Sequence, residues 1–297
     1  MPERSRAGTG LVVVGSANVD LVIAVRELPQ RGDTVLATGM TRGAGGKGAN
    51  QAVAAARDGA GVTFVGSLGR DADGDWLLGQ LAEAGIDTSL VRRVGVPTGT
   101  AVVTVAEDGE NAIVVVGGAN QNLIDLTDTE VATIAGARVL LVQLEIPVQT
   151  VTAAIAAASD RATVVLNAAP ALPLPDELLR LVDVLVVNET EARAMSGWDR
   201  SVPTTITTLG SRGVTLSRPD GTRVEVPGIS VNAIDATAAG DTFCGVLGAA
   251  LARGQRIEDA VERANAAASL AVRRRGAQSS IPHAAETDAH LTGGGRP

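Results

Sequence analysis

Asp235-Ala-Thr-Ala-Ala-Gly-Asp-Thr-Phe243 sets small residues, one glycine and two aspartates directly before an apolar run at 246–252. A strand-like segment at 229–234 ends there, the chain turns through Ala238, Ala239 and Gly240, and a helix is predicted from near Asp241. The first turn of a helix leaves N–H groups without intrahelical partners and carries the positive end of the macrodipole, so it suits an anion. Small side chains let a phosphoryl group approach those amides. Asp241, at the mouth, can accept the proton of an attacking hydroxyl. An aspartate that merely caps an ordinary helix has the same local sequence, so the rest of the chain must decide.

Other polar clusters sit at the ends of apolar runs. Leu11-Val-Val-Val-Gly15 reads as a buried parallel strand. Ser16-Ala-Asn18-Val-Asp20 follows at its carboxyl end, where open α/β sheets place ligands. Asn18 and Asp20 alternate with apolar residues, so both can face one side of an extended segment and offer hydrogen bonds to a polyol; a plain turn is the alternative. Gly43-Ala-Gly-Gly-Lys-Gly-Ala-Asn50 precedes a small-residue helix at 51–57. Gly43, Gly45 and Gly48 satisfy G-x-G-x-x-G, yet the following strand at 62–65 runs into Gly66 and Ser67 with no acidic residue for a dinucleotide ribose. Gly46-Lys47 is no Walker A loop either, since Gly48 replaces the required Ser/Thr and Thr41 the first glycine. What remains is a turn exposing backbone, Lys47 and Asn50 to a small polar ligand.

Glu145 ends a strand beside Pro147. Asn188-Glu-Thr-Glu191 follows another strand and opens a helix, giving a carboxylate able to hold a metal ion through water. Both glutamates can equally be caps. Gly210-Ser-Arg-Gly213 is a turn whose backbone can approach phosphates. Asp71, Asp73 and Asp75 lack the glutamate that would complete a calcium loop and read as a solvated turn.

The elements that must position these residues follow from pattern. Strands at 139–144, 163–167 and 184–187 alternate with helices at 150–158 and 176–181, the rhythm of a parallel sheet. A helix at 75–84 ends in Gly85. A strand at 205–209, a hairpin about Gly221, a helix at 257–273, a loop at 276–280 and a frayed tail at 290–297 complete the carboxyl half. Strand patterns at 21–25, 34–37, 98–105 and 111–116, the last two joined by a hairpin signal at 107–110, form a small sheet apart from the main one.

The 297 residues, 45% hydrophobic and 20% charged, fit a globular α/β chain. A net charge of −8 argues against a general nucleic-acid binder. A single cysteine, Cys244, excludes an internal disulfide and fits a reducing compartment. Residues 1–10 are polar and arginine-bearing, unlike a signal peptide, and no uncharged apolar run reaches about 18 residues. No membrane attachment and a cytoplasmic location are therefore expected. With aromatics at 1% and no tyrosine, stacking platforms are not expected.

With these motifs in order, the chain resembles the ribokinase-like (phosphofructokinase-B-type) carbohydrate kinase family from about residue 11 to 282. Segments 43–71 and 235–243 carry the resemblance, together with the N-x-x-E of Asn188 and Glu191. It implies a mostly parallel central sheet flanked by helices, a single kinase domain over 1–297. A small β-sheet lid at 20–44 and 99–117 would double as the interface of a homodimer. It implies Asp241 as catalytic base with Ala238, Ala239 and Gly240 as anion hole. Asn18, Asp20, Gly46, Lys47, Asn50 and Glu145 match positions that hold ribose. Asn188, Thr208, Leu209, Gly210, Ser211, Arg212, Gly213, Gly240 and Asn265 match nucleotide contacts, and Glu191 the residue that organises magnesium water. Asp235, Thr237, Ala271, Arg274, Gly276 and Ser280 match a potassium site behind the anion hole. The implied reaction is phosphorylation of D-ribose at its 5-hydroxyl by ATP, with Mg2+ and K+.

One departure stands out. Between Glu191 and Thr208 the family usually has a short helix and then a longer one, for which 195–203 leaves no room. Part of one sheet face would then be exposed or covered by Trp198, with consequences for nucleotide binding. Kinases of deoxyribose, another sugar or a nucleoside are the alternatives within the family. A large aromatic nucleobase pocket is disfavoured, because only Phe64, Phe243, Trp76 and Trp198 are available. The presence of Asp241 weighs against a non-catalytic sugar-binding protein, and the missing acidic residue after Val65 against an oxidoreductase.

Overall fold

The computed structural model describes residues 10–158, 161–195 and 201–293. The first apolar run forms β1 (Leu11–Val14), after which β2 (Asn18–Ala24) and β3 (Gly39–Gly45) leave the main sheet. α1 (Lys47–Arg57) returns the chain to β4 (Val62–Gly69), followed by α2 (Ala72–Glu83) and β5 (Val91–Val94). β6 (Gly99–Val105) and β7 (Asn111–Val116) make a hairpin beside β2. Helices and strands then alternate: α3 (Asp128–Ala135), β8 (Val139–Gln143), α4 (Val148–Ala158), β9 (Thr163–Asn167), α5 (Asp176–Leu179), β10 (Val184–Asn188), α6 (Glu189–Ala194) and β11 (Thr204–Thr208). The hairpin β12 (Gly213–Ser217) and β13 (Arg223–Pro227) precedes α7 (Ala239–Ala252), α8 (Ile257–Ala271) and α9 (Ala284–Gly293).

Nine strands form one sheet in the order β13-β12-β11-β10-β9-β8-β1-β4-β5. All pairs from β11 to β5 are parallel, and only β12 runs against the rest, paired antiparallel with β11 on one side and β13 on the other. This is the mostly parallel, helix-flanked α/β sheet that the alternating pattern predicts. The chain moves from β1 outward to β4 and β5, then restarts at β8 on the other side of β1. That reversal opens a crevice at the carboxyl ends of β1 and β8, where ligands of such sheets bind.

Strand alternation sorts the core into two layers. Leu11, Val13, Val139 and Leu141 face α1, α7 and α8. Val12, Val14, Leu140 and Val142 face the layer of α3, α4 and α5. In the first layer α1 and α7 approach closely because Gly245 has no side chain: a Cβ there would lie 2.3 Å from the Gln51 carbonyl oxygen. One turn earlier on α7, this contact brings Asp241 against Asn50 and Gln51 of α1.

The small sheet has the order β3-β2-β6-β7, with β2 and β6 parallel and both outer pairs antiparallel. The strand expected at 34–37 does not form; those residues are exposed and without regular structure. The partner of β2 is instead the glycine-rich β3, so pairing and space override local β-propensity. The strand expected at 229–234 is also absent. The Ile234 and Asp235 amides bond instead to the Val272 carbonyl at the end of α8, at 2.7 and 3.1 Å. The tail from His290 is helical as far as Gly293, docked on α8 through His290 Nε2, 3.2 Å from Ser269 Oγ. Between β10 and β11 the described residues hold only the six-residue α6. Trp198, expected over the sheet face there, lies outside the described residues.

Candidate active site

α7 begins abruptly. Ala238, its N-cap, has φ +57°, a left-handed conformation uncommon for a residue with a side chain. The Ala239 amide bonds back to Ala236 O, which leaves the next amides of the first turn, those of Gly240 and Asp241, without an i−4 partner inside the helix. Asp241 is buried at the base of a cleft of about 230 Å³. Lys47, Asn188, Glu191, Thr208, Ala238 and Gly240 line the same cleft.

The start of α1 is built from three chain segments. Glu145 Oε2 accepts from Ser16 Oγ at 2.6 Å and from the Lys47 amide at 3.0 Å, so it caps α1 rather than a helix of its own. This joins the carboxyl ends of β1 and β8 at the crevice. Burial alone would lower Lys47, but the Asp241, Glu145 and Glu191 carboxylates outweigh it and hold the ammonium above its usual range. Asn18 is buried, its Oδ1 accepting from Asn120 Nδ2 at 2.7 Å, while the Ala17 amide donates to Asn120 Oδ1 at 3.0 Å. Asp20, two residues along β2, is pushed up to about 7 by burial and by the charges of Glu145 and Asp241. Its carboxylate fills the space where a side chain on Gly45 would stand, 2.0 to 2.3 Å from the position of a Cβ there.

Asp241 is held by neutral amides. Asn50 Nδ2 donates to Oδ2 at 3.0 Å, and Gln51 Nε2 to Oδ1 at 3.0 Å. Asn50 Oδ1 is buried with no hydrogen-bond partner among the described residues, an acceptor available to a ligand hydroxyl. Cys244, one turn further along α7, is pushed well up by burial and by the Asp241 charge and acts as an inert wall.

The remaining expected residues form two groups around this centre. Asn188 caps α6 by accepting from the Glu191 amide at 2.8 Å, and Glu191 Oε2 accepts from the Asn188 amide at 2.8 Å. The capping alternative thus holds for both, and both still face the cleft. Thr208 reaches the cleft at the end of β11, whereas Leu209 to Gly213 form the turn beyond it, closed by Leu209 N–H to Gly213 O at 2.8 Å. In that turn Arg212 pairs with Glu189 at 2.5 Å. Asn265 lies on α8 outside the cleft lining, its Nδ2 donating to Pro227 O at 3.0 Å. The second group lies at the carboxyl end of α8. Asp235 Oδ1 accepts from the Thr237 amide and hydroxyl at 2.9 and 2.6 Å, and Oδ2 from the Gly276 amide at 2.8 Å. Burial opposes, but these bonds hold its carboxyl below the usual range. Ala271 O accepts the Arg274 amide at 3.1 Å, the Arg274 side chain pairs with Glu286, and Ser280 Oγ donates to Ala277 O at 2.8 Å.

The sequence reading missed Ser16, Gln51, Asn120, Gln143 and Asn167. A signal existed for two of them: Gln143 and Asn167 are polar residues ending otherwise apolar buried strands. Gln51 and Asn120 carry no such mark, since their partners are distant in sequence.

Among the described residues no helix is long and apolar enough to cross a membrane. Residues 9–284 match the model of the pfkB family carbohydrate kinases. A ribokinase of Haemophilus influenzae is 41% identical over 296 residues, covering 93% of this chain and 96% of the relative. Among solved structures, ribokinase from Thermotoga maritima superposes with a TM-score of 0.88 at 35% identity, covering 95% of this chain and 99% of the other. Arabidopsis thaliana ribokinase complexed with ribose and ATP gives a TM-score of 0.88 at 34% identity, covering 96% and 99%.

Proposed function

The chain belongs to the pfkB family of carbohydrate kinases, and from that premise we propose the path by which it transfers the terminal phosphoryl group of ATP to the 5-hydroxyl of D-ribose. One observation carries the reading. A buried carboxylate, Asp241, stands at the start of a helix whose first residues line the same cleft as Lys47. Asp241 takes the proton of the 5-hydroxyl as the oxygen attacks the terminal phosphorus and ADP departs. Of the anion hole expected from Ala238, Ala239 and Gly240, the Ala239 amide is taken by Ala236 O, so the amides of Gly240 and Asp241 receive the charge that builds on the transferring group. Asn18, Asp20, Gly46, Lys47, Asn50 and Glu145 hold the sugar, supported by the unpaired Asn50 Oδ1. Asn188, Thr208, Gly240, Asn265 and the turn from Leu209 through Gly210, Ser211 and Arg212 to Gly213 hold the nucleotide.

No group of three or more metal-ligating side chains occurs among the described residues. A single carboxylate beside the base Asp241 in the cleft fits Mg2+ bound through water and nucleotide phosphates rather than in an all-protein cage. Glu191 is that carboxylate. When bound, Mg2+ supplies neutralisation of phosphate charge. Asp235 and Thr237, tied to the loop of Gly276, fit a K+ site completed by main-chain oxygens near Ala271, Arg274 and Ser280. An ionised carboxylate beside carbonyls is a suitable donor set, and it lies directly before the turn that starts α7.

A coupled ADP-release assay over a panel of sugars and nucleosides, with and without potassium, tests these assignments together. D-ribose should give the highest kcat/KM, and the rate should be higher in potassium than in sodium or lithium. A nucleoside as best acceptor would overturn the substrate. An equal rate with only a bulky organic cation present would overturn the cation site.

Asp20 adds a pH dependence. Its folded value, about 7, lies above the ordinary 3.8, so the ligand-free protein loses stability as pH rises through that window. The ionised form is the better acceptor for sugar hydroxyls, so ribose affinity should rise over the same range. Calorimetry at about pH 6 and about pH 8 should show tighter binding at the higher pH, and Asp20→Asn should abolish the difference. Equal affinity at both values in the unmodified protein would contradict this role.

The small sheet is read as a lid over the sugar end and as the contact of a homodimer in the cytoplasm. Ile113, Val114, Val115 and Val116 are each half or more exposed on the edge strand β7, and Met40 is exposed on the opposite edge. An apolar edge of this kind is relieved by pairing with a second copy. Light scattering at micromolar concentration should give twice the 30.0 kDa of one chain; a mass of one chain would remove the dimer.

A further inference from the structure

Four buried amide and carboxylate side chains between β8, β9, α1 and α7 form one directional chain. Asn167 Nδ2 donates to the Val186 main-chain carbonyl at 3.3 Å. A carbonyl only accepts, so Asn167 must turn its NH2 toward Val186 and its oxygen toward Gln51. Gln51 Nε2 therefore donates to Asn167 Oδ1, at 3.0 Å, and its second hydrogen is left for Asp241 Oδ1, also at 3.0 Å. Gln51 Oε1 in turn accepts from Gln143 Nε2 at 2.7 Å. Every amide orientation follows from the one fixed carbonyl. A flipped Gln51 would set its oxygen against two acceptors and its NH2 against a donor.

Stability alone gives little reason for this arrangement. Gln51 and Gln143 are fully buried, and Gln143 Oε1 has no partner among the described residues. A half-satisfied buried amide costs more than an aliphatic side chain of similar volume. We infer that Gln51 is a positioning residue: anchored by Asn167 and Gln143, it aims the Asp241 carboxylate through one fixed donor. The inference rests on the reading of Asp241 as the base. Asn50 donates to the other oxygen, but its own Oδ1 is buried without a partner among the described residues, so of the two only Gln51 is fixed at both ends by the protein.

The test compares Gln51→Leu and Asp241→Asn with the unmodified enzyme, by kcat and KM for ribose across pH and by thermal unfolding. In Gln51→Leu, kcat should fall roughly 10- to 100-fold, the span expected for a hydrogen bond to a charged group. KM for ribose should stay close to its original value. The acid limb of the kcat profile should move to higher pH, because protons compete with one donor fewer. Asp20, Lys47 and Cys244 also face Asp241 and are common to all variants, so a difference in that limb reports Gln51. Should Gln51→Leu fail to fold, Asn167→Leu, one step further from the carboxylate, should show a smaller change in the same direction. Unchanged kcat, or a loss of kcat with the acid limb unmoved, would overturn the proposal while Asp241→Asn stays inactive. An active Asp241→Asn would overturn the base assignment and this proposal with it.

Discussion

Replacing Asp241 with asparagine should lower kcat by about 10³-fold or more, the loss expected when a general base is removed, while ribose and ATP still bind. The substitution keeps shape and removes basicity. It also exposes a conflict in the hydrogen bonding. Asn50 and Gln51 each donate to a different oxygen of Asp241, so the new amide nitrogen must confront one of these donors. A stability loss on the order of 1–3 kcal/mol should accompany the loss of rate. Retention of more than about a tenth of the activity, an effect under ~1.4 kcal/mol, would mean that another group removes the proton.

Gly45→Ala should raise KM for ribose by roughly 10- to 100-fold, the cost of leaving a buried sugar hydroxyl unmatched, with a smaller effect on kcat at saturation. Position 45 looks uninvolved, since glycine has no side chain to contact anything. Yet a methyl group there would stand within 2.3 Å of all three Asp20 carboxyl atoms. Asp20 is the flexible partner and must swing away, so the variant should behave much like Asp20→Ala in sugar binding. Steady-state kinetics with ribose as the varied substrate checks this. A KM equal to that of the unmodified protein would show that Asp20 does not hold the sugar.

Much of the main sheet was legible because β1, β4, β8, β9 and β10 are short, mainly apolar runs ending in glycine or a polar residue, all but β1 followed by a helical pattern, whereas Val91-Arg-Arg-Val94 of β5 carries no such mark. β1 is the clearest of them, and the crevice beside it followed from the same reading. The lid was only half legible. Thr34-Val-Leu-Ala has better strand propensity than Gly39–Gly45, and no local rule reveals that β2 needs a partner lacking side chains beside Asp20. The segment before Asp235 misled in the same way: its residues favour a strand, but its amides are taken by the end of α8. The site residues that sit in signature segments were legible. The amide chain behind Asp241 was not. Gln51, Gln143 and Asn167 lie 92 and 116 positions apart across their bonds, and their meaning arises only when three elements converge. The capping roles of Glu145 and Glu191 show a related limit. Each was offered as a cap or a ligand; each serves as a cap, and Glu191 also lines the cleft.

The most direct test of the central claim is the identity of the product. Purified protein incubated with D-ribose, ATP and magnesium should yield one sugar phosphate, and its phosphorus–carbon couplings in NMR should place the phosphate on carbon 5. ADP should form in equal amount. Phosphate on another carbon, or ADP accumulating without any phosphorylated sugar, would contradict the assignment.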